Sequence, residues 1–74
     1  MKRRETMNPG DLGAFIRELR LAHGYTQAQL GEFVGLSRTS VTNIENGRQT
    51  ITFAVMRDLL DVFGYRLRVE ISPK

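Results

Sequence analysis

The stretch from Thr26 to Gly47, TQAQLGEFVGLSRTSVTNIENG, decides how this chain folds. Thr26 and Gln29 have the T-x-x-Q spacing of a capping box, so a helix is expected to begin directly after the threonine. Gly35 stands where that helix must end in a turn with positive φ. Ser37 suits the N-cap of a second helix, which Gly47 ends. The stretch therefore predicts two short helices joined by a tight turn, the layout of a helix-turn-helix motif.

The second helix of this motif has an exposed face that suits DNA. At about 100° per residue, Val41 and Ile44 share one face, which we expect to be buried. The opposite face carries short hydrogen-bonding groups: Thr39, Thr42, Asn43 and Asn46, with Arg38 at its edge. A merely solvated face would more often carry Glu and Lys, which are better helix formers than Thr and Asn. Asn can bond adenine, Arg can bond guanine and Thr can contact the thymine methyl, so this face predicts a DNA-reading surface.

The motif closely resembles that of the lambda repressor/Cro-like (XRE) helix-turn-helix family, T-Q-x-x-L-x-x-x-x-G-[VIL]-S followed by I-x-x-x-E-x-G. The matching residues are Thr26, Gln27, Leu30, Gly35, Leu36, Ser37, Val41, Glu45 and Gly47. The resemblance covers roughly Pro9 to Gly64 and implies a mainly α fold, a four-helix lambda repressor-like DNA-binding domain. Gly31 departs from the usual alanine, and because glycine is the weaker helix former, a slightly looser helix is expected there.

The expected DNA contacts divide into two kinds. The first turns of the second helix, here called the recognition helix, should read base edges in the major groove. The base-reading residues are Arg38, Thr39, Ser40, Thr42 and Asn43, of which Ser40 lies off the centre of the face. The resemblance implies phosphate contacts from residues at the helix ends, namely Gln27, Ser37, Asn46 and Arg48. It also implies an ion pair between Arg20 and Glu45 that ties the first helix to the recognition helix; two unrelated surface charges are the alternative.

Apolar stripes predict one further helix on each side of the motif. The first stripe is Leu12, Phe15, Ile16 and Leu19, and the second is Met56, Leu59, Leu60 and Phe63. Asn8 and Pro9 can open the first helix, and Thr52 can cap the last one, which Gly64 ends. Residues 1–7 contain three basic side chains and are interpreted as a flexible arm that either touches DNA phosphates or has no role.

Composition limits the other functions that this chain could have. Seventy-four residues form one domain with a thin core, and a formal charge of +3 mildly favours a polyanionic partner. With no cysteine and one histidine, we expect no disulfide, metal or other cofactor. An enzyme is not expected, because no nucleophile–base pair, metal-ligand cluster or phosphate-cradling glycine loop is present. Without a membrane-spanning run or a secretory signal, the chain is expected in the cytoplasm of a bacterium or a phage host, associated with the nucleoid.

The end of the chain follows a different pattern. Apolar and charged residues alternate through the last segment, as in a half-buried strand, with the apolar positions at Tyr65, Leu67, Val69 and Ile71. No other stretch can pair with this strand, so a second copy of the chain is its simplest partner. An antiparallel pair centred on Val69 sets Arg68 against Glu70, whereas centring on Arg68 sets that arginine against its own copy, so we favour the first register. The expected divisions are an arm at 1–7, a DNA-binding domain at 8–64 and a dimerisation segment at 65–74.

Four helices followed by one terminal strand most resemble the HipB-type antitoxins, which repress their own operon and bind a HipA-type kinase toxin. The resemblance implies three partners: double-stranded DNA with a palindromic operator, a second copy of the chain, and a HipA-like toxin. The fold and the dimer mode are expected to transfer better than toxin binding, because little sequence follows the strand. Two alternatives remain open: a stand-alone phage-type or restriction–modification controller regulator, and an inhibitor that acts mainly by binding a toxin.

Overall fold

The computed structural model describes residues 9–73, which contain four α-helices. They are α1 (Pro9–Ala22), α2 (Gln27–Val34), α3 (Arg38–Glu45) and α4 (Phe53–Val62). The predicted mainly α fold with four helices is confirmed, and α3 is the predicted recognition helix. The expected cap at Asn8 and the expected basic arm at 1–7 lie outside the described residues.

The helices begin and end where the local sequence predicts. The Thr26 hydroxyl accepts from the Gln29 amide at 3.0 Å, and the Gln29 side chain accepts from the Thr26 amide at 2.8 Å, which completes the capping box. Gly35 closes α2 in the left-handed region with φ 71°. The hydroxyl groups of Ser37 and Thr52 accept from the amides of Ser40 and Val55 and so cap α3 and α4. Each cap satisfies a helix-end amide that would otherwise lack a partner.

A single hydrophobic core joins the four helices. The buried apolar residues are Ile16, Leu19, Leu30, Val41, Ile44, Met56, Leu59, Leu60 and Phe63. They include most of the two predicted stripes and the buried face predicted for α3. Helix α3 packs on both α1 and α2, and α4 packs on α2. One face of the recognition helix therefore packs on the core, and the opposite face is not covered by it.

Two buried glycines allow backbones to approach closely. A Cβ atom on Gly13 would collide with the carbonyl oxygen of Ile44 and would lie 2.8 Å from that of Glu45, so α1 meets the end of α3 at this glycine. A Cβ atom on Gly31 would collide with the carbonyl oxygen of Leu36 in the turn. Gly31 thus has a packing role that the expectation of a slightly looser α2 did not include, because the turn of the motif packs directly on it.

The strand predicted at 65–71 is not formed in the single chain. Residues 65–73 have neither helical nor strand structure, because a strand needs a second strand to bond with and the described residues contain none. The segment begins by folding back, since the Tyr65 ring lies edge-on to Phe15 and Leu67 is half-buried on the core. Further along, the exposed fraction rises to 54% at Val69 and 93% at Ile71. The apolar side of its last residues is thus left uncovered.

None of the helices in residues 9–73 has the length and apolar character needed to cross a membrane.

Candidate nucleic-acid interface

The outer face of α3 carries the residues expected to read bases. Arg38 and Thr39 are exposed, and the other three, Ser40, Thr42 and Asn43, are half-buried. On the opposite side, Val41, Ile44 and Glu45 are buried. The described chain therefore presents a short polar helix whose orientation is fixed by its buried side.

Arg20 and Glu45 form a buried, two-pronged ion pair. Arg20 Nε donates to Glu45 Oε2 at 2.7 Å and its Nη2 donates to Oε1 at 3.0 Å, while the two side chains are 9% and 1% exposed. The remaining Nη1 donates to the carbonyl oxygen of Tyr25 at 2.9 Å. The hydrogen bonds that Arg20 donates to the Glu45 carboxylate raise the pKa of Arg20 above its usual value, although burial acts in the opposite direction. The two side chains are thus not independent surface charges, and they join α1, the start of the motif and α3.

Gln27 extends this pair to the outer face of α3. Its Nε2 donates to Glu45 Oε1 at 3.1 Å, and its Oε1 accepts from the Thr42 hydroxyl at 2.7 Å. Here we call Arg20, Glu45, Gln27 and Thr42 the presentation network. It links α1, α2 and α3 through side-chain hydrogen bonds alone, and it ends at one of the expected base-reading residues.

The expected phosphate-binding residues lie around both ends of α3. Ser37 precedes the helix and caps it, and Asn46 with Arg48 follows it; all three are exposed. The Arg48 amide donates to the Asn43 carbonyl at 2.8 Å, which fixes the backbone just past the helix end. Gln27 is half-buried and has one amide hydrogen outside the presentation network, so it can still donate to a phosphate.

An open groove runs beside the start of α3. It is lined by Arg20, Leu21, Gly24, Tyr25, Thr26, Gln27, Ala28 and Arg38. Within residues 9–73, neither Arg38 nor Arg48 forms an ion pair with an acidic side chain. Their guanidinium groups therefore remain available to an anionic partner at both ends of the recognition helix.

Part of this site could not be predicted from the sequence. Gln27 was expected to bind phosphate, yet its amide also bonds Thr42, fifteen positions along the chain. No spacing rule connects these two residues, since the contact depends on how α2 crosses α3. Gly13 was missed as well, although a glycine within a helix is itself a signal of close packing. No cluster of three or more His, Asp or Glu that could hold a metal lies in the described part of the chain.

In a comparison with known proteins, the chain matches the Helix-turn-helix family model over residues 16–69. The chain is 39% identical over 60 residues to a putative HTH-type transcriptional regulatory protein of Thermococcus kodakarensis, covering 81% of this chain and 19% of that protein. It is 38% identical over 54 residues to the competence pilus inhibition repressor of Acinetobacter baylyi, covering 73% and 49%. It is also 34% identical over 58 residues to the antitoxin PezA of Streptococcus pneumoniae, covering 78% and 34%. The chain thus spans half or less of each of these three relatives.

Solved structures share the fold. The restriction–modification controller protein C.AhdI of Aeromonas hydrophila superposes with a TM-score of 0.72 at 28% identity, covering 76% of this chain and 81% of that one. HipB in a complex with HipA and O2-O3 superposes with a TM-score of 0.73 at 18% identity, covering 96% and 100%. At such low identity, the second likeness concerns the fold alone.

Proposed function

The chain belongs to the helix-turn-helix family of DNA-binding transcriptional regulators, and from this premise we propose that it is a sequence-specific repressor that binds a palindromic operator as a homodimer. One observation supports the proposal most: the outer face of α3 carries uncharged hydrogen-bonding groups and is held in place by the buried presentation network. Fixed presentation matters because base edges are read by hydrogen bonds of narrow geometry. The proposal gives the chain no catalytic role, and its DNA target locates it in the cytoplasm.

The contacts with DNA follow from the position of each residue on α3. Arg38, Thr39, Ser40, Thr42 and Asn43 would read base edges, and Gln27, Ser37, Asn46 and Arg48 would hold the phosphates on either side. Base contacts set the preferred sequence, whereas phosphate contacts set register and salt dependence. Selection of duplexes from a random library tests whether the protein reads bases. We expect one short palindromic sequence to be enriched. Recovery of unrelated sequences would refute specific binding.

The segment 65–74 would supply the dimer interface, with 8–64 as the DNA-binding domain and 1–7 as a basic arm. The uncovered side chains of Val69 and Ile71 and the lack of a strand partner within residues 9–73 support this assignment. Two copies would pair antiparallel about Val69, with the apolar residues Tyr65, Leu67 and Ile71 on one side of the two-stranded ribbon. A symmetric dimer then presents two recognition helices to half-sites about 34 Å apart.

Removal of residues 65–74 tests the interface. We expect the shortened chain to sediment as a monomer and to bind the selected operator far more weakly, since it can no longer occupy both half-sites together. The charge-reversed variant Glu70→Arg is a sharper probe, because in the Val69 register it places two arginines opposite each other. A shortened chain that remains a tight dimer would locate the interface elsewhere.

The operon context we propose is that of an autoregulating antitoxin whose toxin is a HipA-like kinase. The 34% sequence identity to the antitoxin PezA and the fold shared with HipB support this choice. Co-expression with the product of a neighbouring kinase-like gene should give a stable complex, and that complex should persist in the variant Asn43→Ala. A complex that forms while operator binding proves weak would instead favour an inhibitor that acts mainly on the toxin.

A stand-alone regulator is the second candidate, and the likeness to the controller protein C.AhdI favours it. The two candidates differ in their neighbours: an antitoxin should be encoded beside its toxin, and a controller beside restriction and modification genes. Sequencing of the flanking genes separates them. Neither outcome alters the proposed DNA-binding surface.

A further inference from the structure

Thr42 is bonded within the protein in a way that limits how it can read a base. Its hydroxyl oxygen lies 2.7 Å from Gln27 Oε1 and 3.0 Å from the carbonyl oxygen of Arg38. Both neighbours are acceptors, and a threonine hydroxyl has a single proton to donate. That proton is therefore used within the protein, whichever of the two oxygens receives it.

The orientation of the Gln27 amide is itself fixed. Its Nε2 donates to Glu45 Oε1 at 3.1 Å, and Glu45 is held from the other side by Arg20. Turning the amide over would bring its oxygen against the glutamate carboxylate, two acceptors face to face. The amide oxygen consequently stays toward Thr42 for as long as the ion pair is intact.

A threonine whose proton is already donated cannot bond the acceptors of the major groove, which are guanine N7 and O6, adenine N7 and thymine O4. Its hydroxyl oxygen already has two protein oxygens within 3.0 Å, which leaves little room for an amino group to approach as a donor. The methyl group remains, and a threonine methyl suits the C5-methyl of thymine.

We propose that Thr42 is a specificity-determining residue that selects thymine through its methyl group, and that Gln27 is the positioning residue that withdraws the hydroxyl. This inference rests on the proposed DNA-binding function. It assigns Gln27 a second role beside its phosphate contact, and it makes one position of the operator depend on a methyl group.

The test begins with the operator selected by the wild-type protein. Each thymine of the half-site is replaced in turn by deoxyuridine, which removes only the C5-methyl group, and binding is measured by fluorescence anisotropy. At one position the replacement should weaken wild-type binding about fourfold. This is the change in Kd expected when the burial of one methyl group is lost. Thr42→Val keeps a methyl group and should show the same loss at that position. Thr42→Ser keeps only the hydroxyl and should bind thymine and deoxyuridine equally there.

Three further variants separate positioning from structure. Thr39→Ser removes a methyl group from the same face and should retain the deoxyuridine effect at the Thr42 position. Gln27→Ala removes the shorter of the two bonds and leaves the hydroxyl only the longer bond to the Arg38 carbonyl oxygen. The hydroxyl proton is then held less firmly, and guanine should be accepted more readily at that position, a relaxation that the double variant Gln27→Ala/Thr42→Val should not show. A uniform loss on all sequences would reflect the phosphate contact alone and would overturn the positioning role.

Two results would overturn methyl reading. The first is full deoxyuridine sensitivity in Thr42→Ser, and the second is loss of discrimination in a folded Thr42→Val. Selection that finds an operator without such a position refutes this inference and leaves the proposed function standing. Selection that finds no preferred sequence refutes both.

Discussion

Removing the Arg20 side chain tests how far the fold depends on one buried ion pair. In Arg20→Met the apolar side chain occupies similar space, but the Glu45 carboxylate, 1% exposed, keeps only Gln27 as a side-chain partner among residues 9–73. Leaving such a charge unpaired typically costs about 3–5 kcal/mol. At about 0.05–0.15 kcal/mol per residue, a chain of 74 residues has roughly 4–11 kcal/mol of stability in total. The single variant should therefore lose about half of its free energy of unfolding.

The companion variant Glu45→Leu leaves the buried guanidinium of Arg20 without its carboxylate partner and should lower the free energy of unfolding by a similar amount. In the double variant Arg20→Met/Glu45→Leu no charge is left unpaired, and apolar replacement of a whole buried pair is often close to neutral. The two single losses should consequently exceed the double loss by about 2 kcal/mol or more. Urea unfolding followed by circular dichroism gives all four free energies by linear extrapolation.

Arg57 and Asp58 provide a matched control on the surface of α4. Their charged atoms are 3.6 Å apart, and the side chains are 62% and 49% exposed, so the same pair of substitutions should show a coupling of about 0–1 kcal/mol. Additive losses at Arg20 and Glu45, indistinguishable from this control, would refute the conclusion that the buried pair joins α1 to the recognition helix.

Three other outcomes are expected. Gly13→Ala should lower the urea midpoint even though alanine is the better helix former by about 1 kcal/mol, because the new Cβ collides with carbonyl oxygens at the end of α3. Gly31→Ala should be destabilising in the same assay, since the turn carbonyl of Leu36 must move, and an unchanged or higher midpoint would show that the turn yields easily. Arg48→Ala should weaken binding to operator and scrambled duplexes alike and reduce the salt slope by about one; a sequence-dependent loss would mean that it reads bases.

The helix ends could be predicted because caps are local. A threonine hydroxyl bonds the amide three residues ahead, and a glycine in the left-handed region closes the helix it follows, so Thr26 and Gly35 mark α2 without knowledge of the rest of the fold. The same holds for the apolar stripes of α1 and α4, whose spacing alone identifies the buried face. The polar outer face of α3 was predicted by the same periodicity.

Contacts between helices could not be predicted from caps and periodicity. The bond from Thr42 to Gln27 depends on the crossing of α2 and α3, and the need for glycine at position 31 depends on where the turn packs. A periodic pattern says which face is buried but not which side chains meet across it. The terminal segment differs again: alternation predicted its strand conformation, yet a strand forms only against a partner, and residues 9–73 of one chain do not supply one.

The central claim is that the outer face of α3 reads base sequence, and Asn43→Ala tests it most directly. Its affinity is measured on the selected operator and on a scrambled duplex of equal length, at several salt concentrations. We predict a loss of about 1–3 kcal/mol on the operator, no change on the scrambled duplex and an unchanged salt slope, because under this claim the asparagine would contact a base and no phosphate. Equal losses on both duplexes would contradict the claim.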